Sequence, residues 1–328
     1  MAPKLLVTGS SSLVGSHFVE NTCLRFEISV IGRTNFFRGT DALAKFTKLD
    51  LTNGEKLESA VKSSDAEYVI NFAAETSVDG CEVERNRTSG RVYLTNTRAV
   101  RVLADVCKRT GKTLYQISTD AVFDGTYGPY SEVARPGPLH LPLSWYGQTK
   151  YLAEREVAAL LSDFCIVRIS YPYRSHFKSK TDFARNILRL YASGKLFPLF
   201  DDQIISPTLV DDISSATEFL IERGAHGIFH VASRNITTPY EFAGYLISTF
   251  FSVKDPDTVL KKESVAKHGS ASGRAPRPIR GGLKTAKIMS LGFTPRTFQE
   301  GIQEIFRQSA SQDGQGLVGE EARVSQRV

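Results

Sequence analysis

The chain has 328 residues, 41% hydrophobic and 23% charged, with a net charge of +6 at pH 7; this is the composition of a globular protein with ample material for a core. No apolar run reaches the roughly 18 residues of a membrane span, and the cations are scattered rather than gathered into a stripe, which argues against a nucleic-acid partner. Cys23, Cys81, Cys107 and Cys165 stand far apart without a CxxC pair, so reduced thiols in the cytoplasm are expected, with no disulfide framework and no metal site.

The opening residues, "MAPKLLVTG", do not read as a signal peptide and lead directly into a strand at 4–9. Further short apolar runs follow at 27–32 ("EISVIG"), 66–74 ("AEYVINFAA"), 113–118 ("TLYQIS") and 164–170 ("FCIVRIS"), with a weaker run at 44–51 ("AKFTKLDL"). Near-continuous apolar character is what strands buried on both faces require. Helical patterns lie between them, notably at 91–109 and 146–161. The alternation predicts an α/β fold, a Rossmann-type doubly wound parallel sheet with helices on both faces. After residue 170 the rhythm changes: "HGIFHVAS" at 226–233 supplies a late strand, and 267–282, rich in Gly, Pro, Ser and Arg, reads as irregular. The expected organisation is a nucleotide-binding domain over 1–170, to which segments around 204–232 return. A smaller substrate-binding lobe occupies 171–310, and 311–328, poor in apolar residues, forms a disordered tail.

The first strand runs into "TGSSSLVG", with Gly9 and Gly15 flanking a serine-rich turn and a helix beginning near Leu13 and Val14. In that context the free N–H groups and positive dipole end of the helix receive a dinucleotide pyrophosphate. Ser12 stands where a third glycine is common; its hydroxyl, like those of Ser10 and Ser11, can donate to a phosphate oxygen. The same serines also serve an ordinary strand–helix turn as N-caps. Arg33, at the end of the second strand, suits a ribose 2′-phosphate, where an acidic residue would select NAD. Asp50, with Leu51 beside it after the third strand, can accept from an adenine amino group.

Chemistry is carried by "SWYGQTKYLAERE", in which Tyr146 and Lys150 lie four apart on one helix face. A phenol of pKa near 10 is a poor acid–base catalyst at neutral pH; a neighbouring ammonium, together with the positive nicotinamide ring of an oxidised complex, is expected to pull it down. Upstream, Ser118 and Thr119 end a buried strand with hydroxyls able to hold a substrate oxygen. Arg274, Arg277 and Arg280 form a local basic cluster that suits a diphosphate.

These motifs, together with "NFAAETSVD", "LTNT", "STDAVFDG" and "ISPTLVDDI", resemble the extended short-chain dehydrogenase/reductase family. Within it, "STDAVFDG", "SVDGCE", "DDQIISPTLVDDISSA" and "RPIRGGLKTAKIMSLGF" are most similar to the dTDP-4-dehydrorhamnose reductase branch. The resemblance implies a catalytic triad of Thr119, Tyr146 and Lys150, with Ala73, Ala74 and Asn96 at the cofactor and Val78, Asp79, Asp120 and Tyr171 on the substrate side. It implies NADPH as cofactor, with NADH as the alternative, reduction of a nucleotide-linked 4-keto sugar, and a homodimer as one assembly open to the chain. Ala121 replaces an aromatic residue of the branch, and "RISYPYRS" replaces a tryptophan-containing segment. A sugar-nucleotide epimerase or dehydratase of the same family, and a regulatory subunit resembling the methionine adenosyltransferase β subunit, stay open as other readings. Against the dehydratase, the position after Asp120 is Ala121 rather than a second carboxylate.

Overall fold

The computed structural model describes residues 2–34, 44–137, 140–265 and 275–311. Strand β1 (Lys4–Thr8) leads through a turn into α1 (Leu13–Thr22), followed by β2 (Glu27–Gly32), β3 (Ala44–Lys48), α2 (Gly54–Ser63), β4 (Tyr68–Asn71) and the short α3 (Val78–Glu82). One turn of helix, α4 (Arg91–Tyr93), passes through a π segment at Leu94–Arg98 into α5 (Ala99–Thr110); then come β5 (Thr113–Thr119), α6 (Trp145–Leu160) and β6 (Phe164–Ile169). Seven strands make a sheet of order β10-β6-β5-β4-β1-β2-β3, where β10 is Gly227–His230. Every pairing within it is parallel.

Alternate residues of β1 explain the double winding. Leu5 and Val7 join one buried cluster with Phe18 of α1 and with Val210, Ile213 and Leu220 of α8 (Val210–Glu222). Leu6 joins the other, with Leu57, Val100, Leu103 and Val157 from α2, α5 and α6. A strand covered on both faces is apolar along most of its length, as these runs are, with buried polar residues such as Asn71, Gln116 and Arg168 paired to one another or to neighbouring elements. The weaker run is β3, and it is the sheet edge, beside β2 alone; its Lys45 and Thr47 are not fully buried. A further cluster joins β7 (Pro172–Tyr173), α7 (Phe183–Ala192), β8 (Leu199–Phe200), β9 (Thr208–Leu209), α9 (Pro239–Phe251) and α11 (Phe298–Ser311) through Tyr173, Leu188, Phe242, Leu246 and Ile302. The short strand β11 (Lys262–Glu263) pairs with β8, and α10 (Ala286–Ser290) packs on β10.

Expectation and structure differ at several edges. Strand β2 matches its run and β5 exceeds it by one residue, whereas β1, β3, β4, β6 and β10 stop short because their runs continue into the turn that follows. The helix read at 91–109 is interrupted by the π segment, and the helix read at 146–161 begins one residue earlier because Ser144 caps it, accepting from Gly147 N at 3.1 Å. Helix α11 extends to Ser311, so the tail read from 311 begins at least one residue later; 312–328, like Arg274, lie outside the described residues.

Candidate functional site

The sheet order reverses between β1 and β4, and in open α/β sheets a ligand crevice lies at the carboxyl ends of the strands at that point. After β1, Gly9 adopts a φ of +73°, and any side chain there would strike the backbone of Phe72 and Ala73 in the β4 turn. A side chain at Gly15 would strike the Gly9 carbonyl. The two glycines are thus required by close backbone approach, whereas Ser12 fits as N-cap of α1, its Oγ accepting from Gly15 N at 3.0 Å. That bond leaves the Ser12 O–H free to point outward. The first-turn N–H groups of Leu13 and Val14 have no carbonyl partner within the helix. Ser11 is exposed and Leu13 partly so. This glycine-flanked, serine-lined turn at a helix start fits a dinucleotide pyrophosphate.

The floor of the crevice is a ladder of polar side chains across three strands. Thr8 Oγ1 donates to Asn71 Oδ1, which also receives Ala73 N at 3.1 Å, and Asn71 Nδ2 donates to Gln116 Oε1 at 2.8 Å. Ala73 and Ala74 follow directly, both partly exposed. Asn96, fully buried in the π segment, accepts from Glu75 N at 2.8 Å and donates to Thr149 Oγ1 of α6 at 3.2 Å, bracing the β4 turn against that helix. Asp50 takes Thr52 N and Oγ1 on one oxygen and the Arg91 guanidinium at 3.3 Å on the other. The Thr52 amide and hydroxyl hold its carboxyl below the ordinary range, and Arg91 adds to this. Arg91 reaches Glu75 as well, at 3.0 Å, so it ties the β3 and β4 turns together. Leu51 packs beside Asp50 against the α2–α5 side of the core. Arg33 is exposed after β2.

The β5 end and α6 bring the reacting groups together. Gly147 allows this, since a side chain there would strike the Ala121 carbonyl. Thr119 lies beside the Tyr146 phenol; its own Oγ1 accepts from Ala121 N and donates to Asp120 Oδ1, each at 3.2 Å. Lys150, 3% exposed, donates to the Ile117 carbonyl at 2.6 Å. Burial pulls its amine down to about 8, opposed by the Glu154 carboxylate one turn on. In the chain alone the Lys150 ammonium does not lower the tyrosine. Burial pushes the Tyr146 phenol well above its ordinary value, the Thr119 hydroxyl opposing and the Asp120 charge adding. Desolvation therefore decides the state of the phenol. Ser118 also departs from its expected place: its hydroxyl donates to Glu154 Oε1 at 2.5 Å in the interior, away from any substrate.

On the opposite wall, Asp120 is buried, with Ser170 Oγ donating to it at 2.7 Å, and burial raises its carboxyl. Tyr171 follows at a strained φ of +40°, its hydroxyl accepting from Gln203 Nε2 at 3.3 Å; burial first, then Asp120, push it up to about 12. Asp79, next to Val78 at the start of α3, accepts from Ala275 N at 3.0 Å and from the Arg277 guanidinium at 2.9 Å. Residues 275–283 therefore form a strap across the crevice, anchored beyond it by Arg280 N on the Gly125 carbonyl at 2.8 Å and by Arg280 Nε on the Gly128 carbonyl at 3.3 Å.

The family described as RmlD substrate binding domain matches residues 3–311. The chain belongs to that family. Among its relatives, this RmlD-type chain is 32% identical over 300 residues to a probable low-salt glycan biosynthesis reductase of Haloferax volcanii, covering 90% of this chain and 95% of the relative. It is 28% identical over 314 residues to a dTDP-4-dehydrorhamnose reductase of Aggregatibacter actinomycetemcomitans, covering 92% and 98%. A crystal structure of dTDP-4-dehydrorhamnose reductase from Bacillus anthracis in complex with NADP superimposes with a TM-score of 0.76 at 26% identity, over 94% of this chain and all of that one. Several features of the RmlD-type site were not found from sequence: Arg91 over the cofactor side, Gln203 on Tyr171, Ser170 on Asp120, and the Glu154–Arg168 pair beneath Lys150. Each depends on a partner distant in sequence, and a lone charged or polar residue in a strand or loop does not name its partner.

Proposed function

We propose that this chain catalyses the NADPH-dependent reduction of a nucleotide-linked 4-keto sugar to the corresponding C4 alcohol. One observation carries the reading. A phenol stands beside a strand-end threonine and one helical turn from a buried lysine, at the end of a parallel sheet whose first strand leads into a glycine-flanked turn at a helix start. The reduced nicotinamide, when bound, supplies the hydride. Gly9, Ser11, Ser12, Leu13, Val14 and Gly15 would hold the pyrophosphate, Arg33 the 2′-phosphate, Asp50 and Leu51 the adenosine, and Ala73, Ala74 and Asn96 the middle of the cofactor. Negative charge develops on the substrate carbonyl oxygen during reduction, so a donor aimed there lowers the barrier most. Tyr146 holds the proton that this oxygen needs, and Thr119 orients the same oxygen. The Lys150 ammonium is placed to grip the nicotinamide ribose and to favour the charge left on Tyr146.

On the substrate side, Val78, Asp120 and Tyr171 line the sugar, while Arg277 and Arg280 offer charge to a diphosphate. Arg274, outside the described residues, would add to that cluster. The relatives named as reductases of dTDP-sugars support this reading over an epimerase or a regulatory subunit. The test is a panel of nucleotide 4-keto sugars followed by loss of NADPH absorbance. Turnover is expected for at least one of them, falling by about 10²–10⁴-fold in Tyr146→Phe, the usual reach of a positioned acid. Alanine at Arg277 or Arg280 should raise KM for the sugar nucleotide and spare NADPH binding. No turnover of any such sugar, or a Tyr146→Phe rate equal to the unmodified one, would remove the proposal.

A further inference from the structure

The last three residues of β5 meet one face of α6 in consecutive contacts. Thr119 lies beside Tyr146, the Ile117 carbonyl accepts from Lys150 Nζ at 2.6 Å, and Ser118 Oγ donates to Glu154 Oε1 at 2.5 Å. Tyr146, Lys150 and Glu154 are spaced four apart, so they stack along the helix. The first two belong to the site described above; the third lies beneath it. Arg168 of β6 closes on Glu154 with two donors, Nε to Oε1 at 2.9 Å and a terminal nitrogen to Oε2 at 2.6 Å. Glu154 is 5% and Arg168 1% exposed, and the guanidinium sits 4.9 Å above the Phe123 ring.

A buried ion pair is weak evidence for stability, because desolvation offsets the attraction. This one lies where it bears on chemistry. Lys150 is buried against the Ile117 carbonyl, and Glu154, one helical turn on and on the same face, is a carboxylate that favours its charged form. Glu154 in turn is faced by Ser118 from β5, by Arg168 from β6 and, through Arg168, by His230 from β10, whose Nε2 lies 3.4 Å from the guanidinium. Asp120 and Cys81 face Tyr146.

Resting on the functional reading above, we propose that Glu154, clamped by Arg168 and Ser118, is a positioning residue that keeps the Lys150 ammonium charged and holds α6 in register with the end of β5. Without the carboxylate, burial alone acts on Lys150, and the ammonium is lost at lower pH. The cofactor ribose would then lose its charged partner in the same range.

The experiment compares the unmodified protein with Glu154→Gln and with the double variant Glu154→Gln/Arg168→Met, which leaves no unpaired buried charge. The readouts are NADPH affinity by fluorescence titration and kcat/KM, each across pH, with circular dichroism for the fold. The alkaline fall of both quantities is expected to move at least one pH unit lower in Glu154→Gln, where the Arg168 charge is left unopposed, so that a pH just below the unmodified fall shows about a ten-fold loss; in the double variant it should move in the same direction by less. Rates reduced equally at every pH with unmoved falls would overturn the proposal, assigning the pair to structure alone. Loss of the fold in both variants would overturn it in the same way. If the unmodified protein reduces no nucleotide 4-keto sugar, the functional reading fails separately, and the NADPH affinity profile still decides the role of Glu154.

Discussion

Burial drives Tyr146 and Lys150 the same way, toward neutrality. For a reduction this is the useful state of the phenol, since a proton donor must enter the step protonated. The expectation of a lowered tyrosine rested on the spacing in "YGQTK", which fixes who is adjacent along a helix but carries nothing about solvent. Tyr146 and Lys150 are suggested by their spacing on one helix face and Thr119 by its strand-end position and the family resemblance; Glu154 carries no such signal, because its partner Arg168 sits inside an apolar strand where a lone charge looks misplaced. Arg33 belongs to this scale too. An exposed guanidinium at the end of β2 would gain a charge-assisted contact with a 2′-phosphate that NADH cannot offer, worth about 1–3 kcal/mol. Dissociation constants for NADPH and NADH should therefore differ in the unmodified protein and converge in Arg33→Ala. Equal constants before the substitution would refute the assignment.

Elements place these side chains, and they do so through backbone approaches that admit no extra carbon. Gly147 lets α6 lie against the Ala121 carbonyl, which sets how far Tyr146 stands from Thr119. Gly147→Ala should push the helix outward, lowering kcat by at least about ten-fold while costing roughly 1–3 kcal/mol of stability, the usual range for overpacking. Steady-state kinetics beside denaturant unfolding would check both, and an unchanged kcat would show that the contact does not set the site. The sheet was legible because strands covered on both faces are mostly apolar, as the runs of β1, β2, β4, β5 and β6 are despite a polar residue in each. Edge strand β3 was faint for the same physical reason, having one neighbour and alternate polar residues. The π segment at Leu94–Arg98 had no such signal. One extra residue in a helical run leaves the apolar periodicity nearly intact, yet it is what turns Asn96 inward to Glu75 and Thr149.

For the whole molecule, the Arg168 cluster links the site to the far edge of the sheet. His230 on β10 is fully buried, its Nδ1 3.2 Å from the Lys284 carbonyl and its Nε2 facing Arg168. Burial, then the guanidinium, pull it down to about 3 from an ordinary 6.5. Between those values the unfolded chain binds a proton that the folded one refuses, so this residue makes stability fall as pH drops from 6.5 toward 3, by a few kcal/mol. Urea midpoints should decline less steeply over that range in His230→Asn than in the unmodified protein; parallel declines would exonerate the histidine. Long sequence separations also explain why the Asp79–Arg277 contact was unreadable: both were taken as separate substrate-side residues, and they hold each other. The same separation governs how the chain comes into being. Helix α1 packs Phe18 and Val14 against Val210, Ile213 and Leu220 of α8 and joins it through His17 and Ser214, 2.8 Å apart. At a synthesis rate of ~5–20 residues per second, the roughly 190 residues between them take about 10–40 s. For that interval the first helix made has the strands beneath it but not the helix that covers its flank, and a ribosome-bound nascent chain halted before α8 should be cut by protease within α1 faster than the finished protein.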